Sequence, residues 1–412
     1  MSSVHAASPR PRHLRLVRPV ERPATRSRTR VDVASRRTVA LLLGSTAFLV
    51  VTGLVMVLSA SSVSAFAQYG DSFMFVQRQA AYAVVGAGAL LLASRMRPEA
   101  WRRLAWPLLL LTLAMLVLVL VPSAGIEAYG SSRWFQLGPV TVQPSELAKL
   151  SLVVFAAAIL ARKWGRLDDL GHLAVPLLPV CLIACALVML QPDLGTTVIL
   201  AGSMFLLLFA AGVRLRYLSL AALVGAAVGA GLIMSADYRR IRFLSFLDPW
   251  EDAKSTGYQL VQSLIALGSG GWTGVGLGAS RQKWQYVPNA HNDFVFSILG
   301  EEMGLIGEIV VLVAFCVLIY AGLKIATRTT DVFSRLLAAG IVSWFGLQAL
   351  VNLGAVTGLL PITGVPLPFL SYGGSSLVVS LTAVGVLVAI ARAPARAAAR
   401  ARSAAARRSR AA

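Results

Sequence analysis

Long apolar runs alternate with shorter polar segments along most of this chain. Ten of these runs are close to the roughly 20 residues that an α-helix needs to cross the hydrocarbon core of a bilayer. Lipid offers the backbone no hydrogen-bond partner, so a run that crosses it must be helical. The runs fall at about 38–60, 79–94, 104–121, 145–162, 172–190, 194–212, 217–235, 297–323, 333–357 and 376–394. The pattern predicts an all-α integral membrane protein with about ten transmembrane helices.

The charges in the connecting segments predict the orientation of these helices. Lys and Arg concentrate in alternate short loops, as is typical of loops on the cytoplasmic side. The opposite short loops, at 61–74, 122–144, 191–193 and 358–375, contain only Arg133. Both Arg-rich termini fall on the positive side, so both are predicted to be cytoplasmic. Residues 236–296 then form one large outer loop. This loop carries six cations, which indicates an anionic partner, and long loops cross the membrane regardless of charge.

Most of the positive charge lies in the two tails. The chain of 412 residues has a net charge of +20, to which residues 1–37 contribute +8 and residues 391–412 contribute +7. Basic tails beside a membrane span are typical of topology signals or of anchors on anionic lipid, and no nucleic-acid partner is expected. We therefore predict a basic disordered cytoplasmic tail at 1–37, a transmembrane domain at 38–394 and a second basic disordered tail at 395–412. All three cysteines lie in apolar runs and form no metal-binding spacing.

Polar residues that could carry chemistry cluster at the ends of the predicted spans. Arg133 and Trp134 precede Pro144, which suits the first turn of a helix. Glu146 and Lys149 follow at i,i+3 spacing and share one helical face inside the span, where they form either a structural ion pair or part of a site. In the short turn at 191–195, the acid is expected to cap the next helix.

The large outer loop supplies two more candidate groups. Arg239, Arg240 and Arg242 lie just outside a span, where arginine can bind phosphate bidentately or extend to lipid headgroups. Tyr258–Gly268 is amphipathic and predicts a helix on or in the membrane interface. The glycine-rich stretch after it is interpreted as a turn, because the strand that a nucleotide-binding loop requires is not evident.

The most polar stretch near a span is 281–302, which contains Lys283, His291 and Asp293. Ionisable groups at a membrane boundary are costly and therefore mark functional candidates. Asp293 begins a helix at the membrane edge, so it either stabilises the helix N-terminus or acts as a general base.

Several long motifs, in order, resemble those of the SEDS family of shape, elongation, division and sporulation proteins. They include GSSRWFQLGPVTVQPSELAKL, LQPDLGTTV, GVGLGASRQKWQYVPNAHNDFVFSILGEEMGLIG and GLLPITGVPLPFLSYGGSSL. The resemblance covers about 38–394 and implies a SEDS-type fold. The PNAHNDF stretch, the GVPLPFLSYGGSS ending and the basic N-terminal tail are more similar to the division branch than to the elongation branch.

The resemblance implies a peptidoglycan glycosyltransferase that polymerises lipid II at the outer face of the cytoplasmic membrane during septal synthesis. It assigns Asp293 as the catalytic carboxylate. Asn289 and Asn292 replace a Glu and a Thr of the family's pattern, which leaves in doubt any role of that Glu here. The predicted substrate-binding residues are Arg133, Trp134, Glu146, Lys149, Arg239, Arg240, Arg242, Lys283, His291, Ser371 and Tyr372.

The resemblance also implies a cofactor and partners. A divalent cation, Mg²⁺ or Mn²⁺, is expected near the leaving pyrophosphate, with Asp293 as a candidate ligand, and no organic cofactor is expected. The expected partners are a class B penicillin-binding transpeptidase and, through the tails, other division proteins. The alternative functions are a lipid II flippase and an elongation polymerase. No inverted repeat is evident, and the charged cluster lies at one face instead of the midplane, which favours the enzyme.

Overall fold

The computed structural model describes residues 25–121, 125–128, 131–138, 140–284 and 291–411. In these ranges the chain forms twelve α-helices and three short strands. The helices are α1 Thr25–Tyr69, α2 Met74–Arg95, α3 Pro98–Leu118, α4 Pro144–Arg162, α5 Leu170–Met189, α6 Leu194–Ala210, α7 Leu215–Met234, α8 Asp237–Leu247, α9 Tyr258–Gly270, α10 Val295–Arg328, α11 Val332–Val356 and α12 Gly374–Ala411. The strands are β1 Ile126–Ala128, β2 Ser131–Leu137 and β3 Val140–Val142.

Ten of these helices coincide with the ten apolar runs. In the described ranges, nine are long and apolar enough to cross a membrane, and α6 is a shorter apolar helix of 17 residues. The prediction of an all-α membrane protein with about ten spans is therefore confirmed. The other two, α8 and α9, belong to the large outer loop. The helix predicted at 258–268 is present and extends to Gly270.

The centre of the bundle is formed by α4 and α11. Almost every residue of α4 is buried, because most of its residues are apolar and neighbouring helices surround it. The helix α7 is the opposite case, since Leu218 is its one buried residue. Polar side chains on α4 are therefore inside the protein, even where the sequence alone places them near the membrane surface.

A small antiparallel sheet, in the order β1-β2-β3, lies between α3 and α4. The strands β2 and β3 form a hairpin that turns at Gly138, whose φ of +65° suits glycine. Arg133 on β2 donates from Nε to the Gln191 carbonyl (2.8 Å) and from Nη2 to the Pro192 carbonyl (2.7 Å). These bonds attach the sheet to the α5–α6 turn.

The helix α10 is broken near its outer end at Gly304, which has a φ of +64°. The break frees two amides and two carbonyls, and the glycine-rich segment 271–276 pairs with all four. The bonds run from Leu305 N to Gly271 O (2.9 Å), from Ile306 N to Trp272 O (3.2 Å), from Val275 N to Glu301 O (3.0 Å) and from Gly276 N to Glu302 O (3.1 Å). The glycine-rich stretch is thus a turn, as predicted, and it docks into the helix break.

Two buried carboxylates, Glu301 and Glu302, hold the segment that follows. Glu301 accepts hydrogen bonds from the Ser280 hydroxyl and from the amides of Arg281 (2.9 Å) and Gln282 (3.3 Å). Glu302 accepts from the Ser59 hydroxyl of α1 (2.5 Å) and from the Ser280 amide (3.3 Å). The outer loop is therefore fastened to both α10 and α1 immediately before the stretch that leads to Asp293.

The described parts of the two predicted tails are helical. Residues 25–37 belong to α1, and residues 1–24 lie outside the described residues. The helix α12 continues through the predicted C-terminal tail to Ala411. Alanine and arginine are strong helix formers, so an Ala- and Arg-rich segment can extend a membrane helix.

Candidate active site at the outer end of the bundle

Asp293 lies just before α10, at its junction with α11 and with the 357–373 loop that joins α11 to α12. Its backbone carbonyl accepts a hydrogen bond from Nδ2 of Asn352 near the outer end of α11 (2.8 Å). Its carboxylate lies beside Gly364, because a Cβ placed on that glycine would be 3.4 Å from Oδ2. The side chain is partly exposed. The sequence-predicted catalytic residue is therefore an accessible carboxylate at the outer end of three packed elements.

An aromatic wall stands beside Asp293. The rings of Phe75, His291 and Tyr372 have centroids 4.9–5.7 Å apart, and the Tyr69 ring lies 5.9 Å from Phe75. The Tyr372 amide donates to the His291 carbonyl (2.9 Å), which joins the two chain segments. The Arg78 guanidinium lies 5.9 Å from the centre of the Tyr69 ring. The wall thus brings α1, α2 and two outer loops together.

Burial sets the charge state of this wall. Desolvation lowers the pKa of His291 to about 4, so the imidazole is neutral at pH 7. Burial raises the pKa of Tyr372, although hydrogen bonding and the positive charge of Arg78 oppose this shift. Two residues predicted to bind substrate therefore contribute neutral rings. Arg78, which the sequence analysis did not predict, supplies a positive charge here. The signal that could have identified it is its position as a cation at the edge of an apolar run.

Ser371, another predicted substrate-binding residue, stabilises the 357–373 loop. Its hydroxyl accepts a hydrogen bond from the Leu367 amide (2.8 Å), and the side chain is buried. The amide of Gln79 on α2 donates to the Ser371 carbonyl (3.2 Å) and its oxygen accepts from Gly373 (3.2 Å). The structure thus assigns Ser371 a contact within the protein, and its contact with substrate stays a prediction.

Glu146 and Lys149 form an ion pair of 2.8 Å, and each side chain is 2% exposed. Lys149 also donates to Oε1 of Gln348 on α11 (3.0 Å) and lies over the Trp344 ring. Removing two charges from water is costly, so burial is tolerated because each charge has partners. Glu146 and Lys149 therefore form the structural ion pair that their spacing suggested. A contact of either residue with substrate stays a prediction.

Other predicted phosphate-binding cations also have protein partners. Lys283 is 8% exposed, donates to the Gly278 carbonyl and lies 3.8 Å from the Glu302 carboxylate. Arg239 donates to the Leu232 carbonyl at the end of α7 (2.8 Å). Lys283 thus holds the outer loop through contacts within the protein, and its contact with substrate stays a prediction.

Three further residues predicted to bind substrate are Arg240, Arg242 and Trp134. Arg240 is exposed on α8, which packs against α7, and the side chain of Arg242 lies outside what the structure describes. Trp134 is partly buried on β2, opposite Ile126 of β1. The structure therefore brings Asp293, His291 and Tyr372 into one site and gives Arg133, Glu146, Lys149, Lys283, Arg239 and Ser371 contacts within the protein.

The ligands available to a metal ion are few in the part of the chain that the structure describes. Across the described ranges, no group of three or more His, Cys, Asp or Glu side chains lies close enough to hold an ion. Mg²⁺ is commonly held by one or two carboxylates together with substrate phosphates. Asp293 fits that second arrangement, so the donor set is compatible with a cation that binds together with a phosphate-bearing substrate.

The fold and site define a polytopic all-α membrane protein with a carboxylate at an outer helix junction. A family model described as "Cell cycle protein", for FtsW, RodA and SpoVE, matches residues 39–395, and the chain belongs to this family. A relative from Geobacter metallireducens named "Probable peptidoglycan glycosyltransferase FtsW" is 45% identical over 82% of this chain and 90% of that protein. Stage V sporulation protein E of Bacillus subtilis is 42% identical over 85% of this chain and 96% of that protein.

Solved structures show the same fold. A chain from a study of "polymerization and crosslinking by a peptidoglycan synthase complex" matches with a TM-score of 0.72 and 29% identity, over 85% of this chain and 96% of that chain. The rod shape determining protein RodA of Thermus thermophilus matches with a TM-score of 0.63 and 29% identity, over 85% of this chain and 95% of that chain.

Proposed function

We propose that this chain is a peptidoglycan glycosyltransferase that polymerises lipid II at the outer face of the cytoplasmic membrane. The observation that carries the proposal is the accessible carboxylate of Asp293, held at the outer junction of α10, α11 and the 357–373 loop. The names of the relatives support the reaction, and the similarity to a chain of a peptidoglycan synthase complex supports a role in glycan assembly.

Asp293 acts as the general base in this mechanism. It takes the proton from the sugar hydroxyl that attacks the anomeric carbon of a second lipid-linked sugar, and the polyprenyl pyrophosphate leaves. A positioned base contributes typically 10²–10⁴-fold to the rate. The His291 ring is neutral at pH 7, because its pKa of about 4 lies well below that pH, so it adds no positive charge beside Asp293.

The leaving group requires positive charge. Arg78 is the exposed cation that the structure places at the aromatic wall, where it can stabilise a pyrophosphate at the membrane surface. Arg240 and Arg242, on the outer-loop helix, remain candidates for the same role. Asp293 is the residue that would hold a divalent cation, and such a cation would supply further positive charge to the leaving group.

The proposal includes a partner and a location. The chain resembles a component of a peptidoglycan synthase complex, which supports a class B penicillin-binding transpeptidase as partner. The FtsW names of several relatives support a place in the division septum, and the loop charges support cytoplasmic termini. Co-purification from membranes should recover the transpeptidase.

The test of the proposed function is polymerisation of purified lipid II by the full chain in liposomes, with and without the transpeptidase. We expect glycan chains that depend on the protein. A preparation that moves lipid II across the bilayer and forms no glycan with or without the partner would instead establish a flippase.

A further inference from the structure

Asn352 makes two hydrogen bonds at the point where Asp293 meets the 357–373 loop. The side chain is 2% exposed, and both N–H bonds of Nδ2 are used. One reaches the Asp293 carbonyl and the other the Val365 carbonyl, each at 2.8 Å. A carboxamide Nδ2 has two donors, so this group is fully committed to joining the two backbones.

Gln348 repeats this arrangement one helical turn earlier. Its Nε2 donates to the Pro366 carbonyl (2.8 Å), next to the carbonyl that Asn352 holds. Its Oε1 accepts from Lys149 Nζ (3.0 Å) and from Trp344 Nε1 (2.6 Å). Residues at i and i+4 share one helix face, so α11 holds two successive carbonyls of the loop with two carboxamides.

The loop needs these side chains, because residues 361–367 form no regular secondary structure. Buried carbonyls in such a segment must find partners elsewhere. Gly364, immediately before Val365, is the residue that lies against the Asp293 carboxylate. Asn352 therefore fixes the distance from α11 to the Asp293 backbone. Through its bond to Val365, it also fixes the distance from Gly364 to the Asp293 carboxylate.

We propose that Asn352 is a positioning residue that holds Asp293 in its reactive place against the 361–367 segment. The proposal rests on the proposed function, in which Asp293 is the general base. Gln348 connects the buried Glu146–Lys149 pair to the same segment. The pair can therefore affect the position of Asp293 without contacting substrate.

The consequence for catalysis differs from that of an ordinary buried hydrogen bond. A displacement of about 1 Å in a reacting group can cost about 100-fold in rate, even when the protein stays folded. A role in stability alone would lower the amount of folded enzyme and leave the turnover of the folded fraction unchanged. The turnover rate per folded enzyme molecule therefore separates the two roles.

The experiment compares Asn352→Leu, which has a similar volume without donors, with Asn352→Ala, which avoids crowding. The matched control is Ser263→Ala on α9. The Ser263 hydroxyl is fully buried and bonds to the Ser297 hydroxyl and to the Val356 carbonyl at 2.7 Å each, at the same end of α11. It contacts neither Asp293 nor the 361–367 segment through these bonds.

The measurements are kcat and KM for lipid II polymerisation and the Tm of each full-length preparation, beside wild type and Asp293→Asn. We expect both Asn352 variants to lose about 100-fold in kcat per folded protein, with KM within about threefold of wild type. Ser263→Ala should keep the wild-type kcat. If one Asn352 variant does not fold, the other decides.

Two results would overturn the positioning role: an Asn352 variant that folds and keeps kcat within about threefold of wild type, or an equal loss of kcat in Ser263→Ala. Failure of the proposed function has a different signature, because either wild type would form no glycan or Asp293→Asn would polymerise normally.

Discussion

Burial decides which of the charged residues can meet a substrate. In the sequence, three charged residues lie near the ends of apolar runs: Glu146, Lys149 and Lys283. In the structure, each is buried and paired within the protein. Asp293 remains partly exposed, and Gly364 lies beside its carboxylate. The chemistry of the site therefore depends on a small number of accessible groups and on the residues that place them.

Gly364→Ala should lower activity more than stability predicts. Its φ of +70° strains any side chain, and the added Cβ would lie 3.4 Å from the Asp293 carboxylate. Gly212 is the matched control, with a φ of +80° and open space around it. Both alanine variants should lose about 1–2 kcal/mol of stability from backbone strain. Only Gly364→Ala should lose turnover in a polymerisation assay, because its methyl group would contact the Asp293 carboxylate and cover one side of it. Equal turnover in the two variants would contradict this contact.

His291 predicts a pH dependence of stability. Its pKa falls from 6.5 to about 4 on folding, so the unfolded chain binds a proton that the folded chain does not accept until the pH is lower. The free energy of unfolding therefore has its full value above pH 6.5 and falls by up to about 3 kcal/mol as the pH approaches 4. His291→Gln should show a smaller drop in Tm between pH 6.5 and 4 than wild type. Parallel curves for the two proteins would refute the buried neutral ring.

The position of a residue could be predicted from sequence where the neighbouring residues carry a clear pattern. Asp293 stands in a polar stretch beside a long apolar run, so its place at a helix start was predictable. Arg78 and Asn352 were not predicted, because each lies at the end of an apolar helix and gains its meaning from a loop distant in sequence. Only the folded structure shows that Asn352 meets Val365 and Asp293 at once.

The helix α10 is the element that most directly shapes the site. Its break at Gly304 separates an outer piece from Leu305–Arg328, which at 1.5 Å per residue spans about 36 Å and can cross a bilayer alone. The glycine-rich segment fills the break with backbone hydrogen bonds. The outer piece and the loop before Asp293 are thereby held as one unit.

Two glycines of that segment provide a matched test. Gly274 and Gly278 share a φ of +79°, but a Cβ on Gly274 would lie 2.1 Å from the Glu302 carbonyl, whereas Gly278 has open space. Gly274→Ala should therefore open the docked segment, and Gly278→Ala should retain it. Hydrogen exchange of the 271–278 amides in detergent measures this. Equal protection in the two variants would mean that the segment does not depend on the close contact with α10.

Helices could be predicted from the sequence wherever a long apolar run specifies them. The ten runs correspond to ten helices, because lipid imposes helicity on any long apolar stretch. The β2–β3 hairpin could not be predicted, because its seven-residue strand and short partner carry a weak pattern. The break in α10 was also missed, because a glycine inside an apolar run is tolerated in membrane helices and gives no local signal.

At the scale of the whole molecule, the loop charges predict an orientation that can be measured. In a background without Cys181, Cys185 and Cys316, a cysteine at the exposed position Ser255 should react with an impermeant thiol reagent in intact cells. The exposed Thr330, between α10 and α11, is the matched inner site and should react only after lysis. The reverse pattern would invert the topology and place Asp293 on the cytoplasmic side.

The central claim is that Asp293 is the carboxylate that drives glycan polymerisation. Asn is nearly isosteric with Asp, so Asp293→Asn should keep the backbone bond from Asn352, the Tm and the binding of lipid II. It should lose at least about 10²–10⁴-fold in glycan formation, the range that a general base contributes. The measurement is glycan chain length and rate from purified lipid II, beside Tm and lipid binding of the same preparation. Loss of polymerisation by a folded, lipid-binding variant is the predicted result, and wild-type polymerisation by Asp293→Asn would contradict it.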